Sequence, residues 1–89
     1  MSGKIYYDVQ DKVIEDVRLE RYAQDQKFGV QNHANDFWAL ILGEEVGEVS
    51  KAILENQFYG TSESHIRAEL IQVAAVAIAI VECIDRRSA

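Results

Sequence analysis

The chain has no proline, no internal repeat and no stretch rich in serine and glycine, although 48% of its residues are hydrophobic. This composition disfavours disorder and a multidomain architecture. With 89 residues, the chain is near the lower limit at which a domain buries a sufficient core by itself. We therefore expect residues 1–89 to form one compact domain that is completed by oligomerisation.

Long apolar runs are missing as well. The longest uncharged segment, Leu70 to Val81, is too short to span a bilayer, and the segment from Met1 to Lys12 lacks the apolar core of a signal peptide. Acidic residues outnumber basic ones by 15 to 9, and the net charge of -6 opposes binding to nucleic acid or to anionic membranes. These features favour a cytoplasmic protein with no membrane or nucleic-acid partner. The only cysteine, Cys83, is interpreted as a small core residue.

Hydrophobic periodicity predicts an all-α fold of three main antiparallel helices, over about residues 5–28, 36–57 and 63–86. The first helix is amphipathic, and five residues recur on its apolar face: Ile5, Tyr6, Val9, Val13 and Val17.

Local signals mark the ends of these helices. Gly29 and Gly60 are typical of the residue that follows a helix, because glycine adopts the left-handed conformation without strain. Asn35 and Ser62 are the predicted N-caps of the second and third helices. The connections are short, so the second and third helices should form an antiparallel hairpin.

Three glutamates interrupt apolar stripes. Glu45 and Glu48 lie one turn apart within the stripe of the second helix, and Glu69 has a similar position on the third. The predicted hairpin brings them into one acidic pocket. Charged carboxylates in an apolar setting need compensation, either from a buried Arg or Lys or from a hard divalent cation. Oxygen ligands without cysteine or clustered histidine favour Mg²⁺ or Mn²⁺. A solvated pair of glutamates on a helix surface is the alternative interpretation.

Two further features indicate oligomerisation. The segment from Leu70 to Val81 is apolar on nearly every side, so one partner helix cannot cover it. Gly43 and Gly47, spaced i, i+4 on the side of the second helix away from Glu45, predict a close backbone approach, either to the first helix or to another subunit. We expect a homo-oligomer, either a dimer or a tetramer.

Three segments carry a resemblance to a known family: Trp38 to Ile53 (WALILGEEVGEVSKAI), Glu69 to Ala75 (ELIQVAA) and the preceding Gln26 to His33 (QKFGVQNH). Together they resemble the MazG-like branch of the all-α nucleoside triphosphate pyrophosphohydrolases, and the likeness covers most of the chain. The resemblance implies a four-helix-bundle-like MazG fold completed by oligomerisation. It also implies Mg²⁺-dependent cleavage of a (d)NTP to the (d)NMP and pyrophosphate, in nucleotide-pool house-cleaning.

In that family an ExxE motif on one helix and an ExxD motif on the next hold Mg²⁺. Glu45 and Glu48 match the first motif, and Glu69 matches the acid of the second. Gln72 stands where the family usually has aspartate, and its amide oxygen can bind Mg²⁺ without contributing charge. The resemblance thus implies four metal ligands, of which the three glutamates are also the catalytic residues. Any one of them can take the proton of the attacking water.

Candidate substrate contacts surround this set. His33 and Trp38 flank the start of the second helix and are candidates for contacting the base, and Lys51 is a candidate for contacting a phosphate. Each has a structural alternative: a loop or capping histidine, a core tryptophan, and an ion-pair partner of Glu44 or Glu55. Three basic residues near the first helix are weaker candidates for phosphate contacts, because a solvated helix face explains them better: Arg18, Arg21 and Lys27.

Two other classes of protein remain open. A catalytically silent helical interaction protein would use the acids in an interface network of ion pairs. A metal- and nucleotide-binding protein would bind both ligands without hydrolysis, and Gln72 makes this the stronger alternative.

Overall fold

The computed structural model describes residues 3–88, with side chains from residue 7 onward. It contains three helices, α1 (Gly3–Phe28), α2 (Asn35–Tyr59) and α3 (Glu63–Ser88), and no strand within residues 3–88. The all-α prediction is confirmed. The predicted inward positions of Ile5 and Tyr6 lie outside the described side chains. Over the described residues, none of the three helices has a stretch long and apolar enough to cross a membrane.

Both predicted glycine stops are confirmed. Gly29 and Gly60 have φ angles of 71° and 69°, in the left-handed region that glycine adopts without strain. Their N–H groups donate to the carbonyl groups of Asp25 and Asn56, at 2.9 and 3.1 Å. Each helix therefore ends by a hydrogen bond that satisfies one of its last free carbonyls.

The two predicted N-caps have different outcomes. Ser62 is a cap, because its Oγ accepts a hydrogen bond from the N–H of Ser64 at 3.1 Å. The prediction for Asn35 is wrong: α2 begins at Asn35 itself, and extended Ala34 occupies the cap position. The Asn35 side chain instead accepts a hydrogen bond from Arg87 at 2.8 Å. The Asn35 side-chain oxygen is therefore engaged by a residue 52 positions away and not by an N–H of the first turn of α2.

Helix α3 is the centre of the bundle-like arrangement. It packs against α2 and against α1, whereas α1 and α2 do not pack against each other over the described residues. The buried apolar side chains are few and come from all three helices: Val17, Trp38, Val49, Ala52, Ala75, Val76 and Cys83. The interpretation of Cys83 as a core residue is confirmed, because it is fully buried.

The apolar face of α1 is covered only in part. Val17 is buried, but Val9 and Val13 are 62% and 38% exposed, although their spacing predicts an inward position. They remain exposed because α1 has only one neighbouring helix to pack against. Similarly, no described atom lies within 4 Å of a Cβ built on Gly43 or Gly47. Helix α1 therefore does not approach these glycines, and contact with another subunit remains a prediction.

Candidate functional site

A cleft of about 460 Å³ opens between α1 and α2, and α3 forms its floor. The cleft exists because α1 and α2 each pack on α3 and leave a gap between them. Its walls come from the last turns of α1, the following loop and the first half of α2. Polar side chains from all three helices line it, among them Arg21, Glu45, Gln72, Glu82 and Arg86.

Glu45 is the least compensated acid in this cleft. Its Oε2 atom is buried and has no hydrogen-bond partner among the described residues. Burial raises the pKa of the Glu45 carboxyl, and so do the negative charges of four neighbouring glutamates: Glu69, Glu44, Glu48 and Glu20. The structure therefore contains a carboxylate whose ionised form is disfavoured in the absence of a cation.

The hairpin brings Glu69, but not Glu48, to the inside. The Glu69 side chain is 15% exposed and lies on α3 close enough to Glu45 to raise its pKa. One Glu69 oxygen is 3.9 Å from Nε2 of His65. Glu48 is exposed, so the expectation of an inward position is wrong. It lies one turn from Glu45 but on the edge of α2 that no helix covers.

Gln72 is a second polar residue of the cleft that contains Glu45. Both side chains line the cleft, and both are half-buried. Gln72 follows Glu69 by three residues on α3, so the two side chains point to the same side of the helix. Within residues 3–88, no group of three or more His, Cys, Asp or Glu side chains is arranged to hold a metal ion.

The donor atoms near Glu45 are of the kind that a hard divalent cation binds, although no three acidic, His or Cys side chains of residues 3–88 are grouped around one point. They are oxygen atoms of carboxylates and of one amide, which are the ligands that Mg²⁺ prefers. The alternative compensation, a basic side chain, is not found for Glu45 in the part of the chain that the structure describes. Arg21, which lines the cleft, pairs with Glu82 at 2.6 Å. Arg67, two residues before Glu69 in the chain, pairs with Asp16 at 2.7 Å.

Arg21 and Glu82 form the polar wall of the cleft opposite Glu45. The Arg21 side chain is only 14% exposed and also pairs with Asp25 at 3.0 Å. Burial alone lowers the pKa of the Arg21 guanidinium, but hydrogen bonds to Glu82 and Asp25 more than offset this, so the pKa is raised. Sequence analysis missed Glu82 because the two partners are 61 residues apart and no local pattern links them.

The loop between α1 and α2 is attached to the end of α3. Arg86 donates to the carbonyl of Gln31 at 3.0 Å and to Oδ1 of Asn32 at 3.0 and 3.2 Å. Arg87 donates to the carbonyl of His33 at 3.2 Å. Sequence analysis also missed these contacts. They hold the loop that leads into the first turn of α2.

His33 and Trp38, the candidates for base contact, pack on each other. Their ring centroids are 4.8 Å apart in an edge-to-face arrangement, and Phe37 lies 4.6 Å from the imidazole. Trp38 is 2% exposed and forms part of the cleft wall, so its ring faces are covered by protein. The indole N–H of Trp38 is buried and has no hydrogen-bond partner among the described residues. Trp38 is nevertheless the largest cause of the lowered pKa of the Cys83 thiol.

Lys51 does not line the cleft. Its side chain is 68% exposed, and Nζ lies 4.0 Å from Glu55. Lys27 reaches the cleft and lies over the ring of Phe28, with Nζ 5.0 Å from the centroid. Phe28 also lines the cleft and is 58% exposed, which makes it the aromatic ring most accessible to a ligand there.

No family model, no characterised protein and no solved structure matches this chain. The cleft has mixed polarity and is lined by the uncompensated carboxylate of Glu45 and by the amide of Gln72. The carboxylate of Glu69 lies near Glu45 but does not line the cleft. Such a site has the chemistry to bind a divalent cation together with an anionic ligand.

Proposed function

We propose that the chain is a Mg²⁺-dependent nucleoside triphosphate pyrophosphohydrolase of the MazG-like kind, which cleaves a (d)NTP to the (d)NMP and pyrophosphate. The observation that carries this proposal is the buried, unpaired oxygen of Glu45 in a cleft large enough for a small ligand. A carboxylate in this state needs a cation, and an acidic protein needs a cation to bind a polyphosphate. The ExxE sequence around Glu45 supports the same conclusion.

In this proposal Glu45, Glu69 and Gln72 hold the metal from inside the bundle, and Glu48 approaches from the exposed edge of α2. Mg²⁺ bound there supplies positive charge to the phosphate oxygens and orients and acidifies the attacking water. In this proposal, the proton of that water is taken by whichever of Glu45, Glu48 and Glu69 is not fully engaged with the metal.

The cleft provides the binding site for the nucleoside in this proposal. Its exposed Phe28 ring is available for stacking on a base, while Trp38, with His33 packed against it, forms part of the supporting wall. Arg86 and Lys27 add positive charge to a cleft that otherwise contains several acids. A cytoplasmic role in nucleotide-pool house-cleaning, carried out by a homo-oligomer, completes the proposal.

The test is an incubation of purified protein with Mg²⁺ and a panel of canonical and modified nucleoside triphosphates, with pyrophosphate and orthophosphate measured separately. We expect pyrophosphate and the nucleoside monophosphate from at least one nucleotide. Glu45→Gln should abolish this release, whereas Glu15→Gln, at an exposed position of α1, should not change it. Orthophosphate as the only product, or activity that survives in Glu45→Gln, would contradict the proposal.

A second candidate is a nucleotide- and metal-binding protein without hydrolytic activity. The observation that favours it is the weakened ligand set: Gln72 brings no charge, and Glu48 is exposed rather than inward. This protein would show heat of binding for Mg²⁺ and nucleotide in calorimetry, with the nucleotide recovered intact. Product formation by the same sample would exclude it.

A further inference from the structure

The protein exposes more surface than its mass requires. Its accessible surface is 6557 Å², whereas a folded monomer of 10.1 kDa is expected to expose about 5,300 Å². Its Cα radius of gyration is 15.2 Å, against about 12 Å for a compact domain of this length. The surplus is larger than the roughly 800 Å² that each partner buries in a standard interface. A second copy of the chain is therefore the simplest occupant of the uncovered surface.

The outer face of α2 is an uncovered part of that surface on which exposed leucines flank two glycines. On a helical period, Leu40, Gly43, Gly47 and Leu54 lie on the side directly opposite the buried Trp38. Leu40 and Leu54 are 71% and 55% exposed. The space above both glycines is open, since no described atom lies within 4 Å of a Cβ built there. We call these four residues the outer α2 face.

We propose that two copies of the chain associate through the outer α2 face, with their α2 helices antiparallel and crossing at Gly47. In this register Gly47 meets the partner's Gly47 on the two-fold axis. Leu40 then meets the partner's Leu54, because the two leucines are equally distant from Gly47 along the chain. The missing side chains at Gly43 and Gly47 let the helix backbones approach closely, so the leucines at both ends become buried.

The charges beside this face support the same arrangement. Glu44 and Lys51 flank the outer α2 face on the same side. A two-fold axis between antiparallel helices brings equal flanks together, so Glu44 meets the partner's Lys51, and the pair occurs twice. Within the chain, Nζ of Lys51 comes no closer than 4.0 Å to Glu55, and the Lys51 side chain is 68% exposed. Lys51 is therefore available for a new partner.

The other apolar groove, between α1 and α3, lacks this self-complementarity. Ile14 and Ile78 line it and are 50% and 42% exposed. Its acidic residue, Glu82, is already bound by Arg21. The charge pattern therefore favours the outer α2 face. The proposal is independent of catalysis, since this face is opposite the cleft.

The first test is sedimentation equilibrium of the full chain at micromolar concentrations. We expect a dimer, and we expect Gly47→Glu to shift it to a monomer by placing two like charges at the crossing point. The variant should still fold, because its position is open and glutamate is a better helix former than glycine. Gln10→Glu, an equal charge change on an exposed part of α1, should leave the dimer intact. A monomeric wild type, or a dimer that persists in folded Gly47→Glu, would overturn the proposal.

The second test uses charge reversal and separates a second copy from any other occupant. Lys51→Glu and Glu44→Lys should each weaken dimerisation at least tenfold at low salt, because each homodimer then contains two repulsive pairs. Mixing the two variants should restore association, because the mixed dimer contains two attractive pairs. Restoration is specific to this antiparallel register. If both variants are folded by circular dichroism and the mixture stays monomeric, the face binds something else or nothing, and the proposal is wrong.

Discussion

Arg21 on α1 donates two hydrogen bonds to the same carboxylate oxygen of Glu82 on α3, from Nη2 at 2.6 Å and from Nε at 3.0 Å. This interaction joins the two helices at the cleft, where α1 has no contact with α2. Because few apolar side chains of α1 are buried, its two ion pairs to α3, Arg21–Glu82 and Asp16–Arg67, contribute substantially to its attachment.

Glu82→Ala should therefore lower the free energy of unfolding by about 1–2 kcal/mol, a value reduced from that of a buried charged hydrogen bond because Glu82 is 46% exposed. Chemical denaturation monitored by circular dichroism measures this change. Asp85→Ala is the matched control: it removes an acid from the same helix at an exposed position with no ion pair among the described residues. An equal effect of both variants would show that the Arg21 contact does not stabilise the fold.

The helix positions follow from local signals, which is why sequence analysis predicted them. Gly29, Gly60 and Ser62 act through the backbone within a few residues of their own positions. The burial of side chains depends instead on which helices meet. Glu48 and Val13 have inward spacing, but they are exposed because α1 and α2 do not cover each other.

The difference between local signals and contacts between helices also explains which parts of the candidate site the sequence predicts. The stripe containing Glu45 and the matching position of Glu69 are local patterns, and antiparallel packing of a short hairpin brings the two residues together. The attachments of Arg21 and Arg86 connect positions 61 and 54 residues apart, and no periodicity in a single sequence reveals such a pair. The wrong assignment of Asn35 has the same origin, because its partner is the distant Arg87.

Glu45→Gln should raise the stability of the metal-free protein. The substitution removes a charge whose Oε2 atom is buried and unpaired, so we expect a gain on the order of 1 kcal/mol and a melting temperature higher by a few degrees. Thermal unfolding in the presence of a chelator measures it. If Glu45 had a basic partner, the same variant would be destabilised by about 3 kcal/mol or more, so the sign of the shift distinguishes the two cases.

The pH dependence of this gain has a defined sign. Burial and nearby acids raise the pKa of Glu45 in the folded state. Its contribution to stability is thus present below the ordinary glutamate pKa and is lost as the pH rises through the raised value. The advantage of Glu45→Gln over wild type should therefore be largest at neutral pH and should disappear on acidification.

The pH dependence of stability has the opposite sign for Asp16. Hydrogen bonds from Lys12 and Arg67 lower the pKa of Asp16, so its contribution is present above the ordinary aspartate pKa and is lost as the pH falls through the lowered value. Asp16→Asn should be less stable than wild type at neutral pH and equal to it in strong acid. Metal-free unfolding curves measured across this range must show the two variants on opposite sides of wild type at neutral pH.

Arg86→Ala should loosen the loop between α1 and α2. It removes the hydrogen bonds to the Gln31 carbonyl and to Asn32, and the only tryptophan of the chain, Trp38, lies just beyond that loop. We expect a loss of about 1–2 kcal/mol in stability, a red shift of the tryptophan emission and faster quenching by acrylamide. Arg67→Ala also removes an arginine of α3 with an ion pair, but far from Trp38, and should leave the emission unchanged. Unchanged emission in both variants would contradict a role of Arg86 in holding the loop.

Gln72→Asp tests whether the amide in the cleft belongs to the proposed metal site. Gln72 lines the cleft with Glu45 and shares a helix side with Glu69, so a carboxylate at this position should bind Mg²⁺ more tightly or allow an additional ion. It should also destabilise the metal-free protein, because a further negative charge raises the pKa of nearby acids. Calorimetric titration of Mg²⁺ into both proteins measures affinity and stoichiometry, and Gln57→Asp, at an exposed position of α2, controls for the added charge. Equal affinity and stoichiometry in wild type and Gln72→Asp would remove Gln72 from the site and leave the metal, if bound, to the glutamates alone.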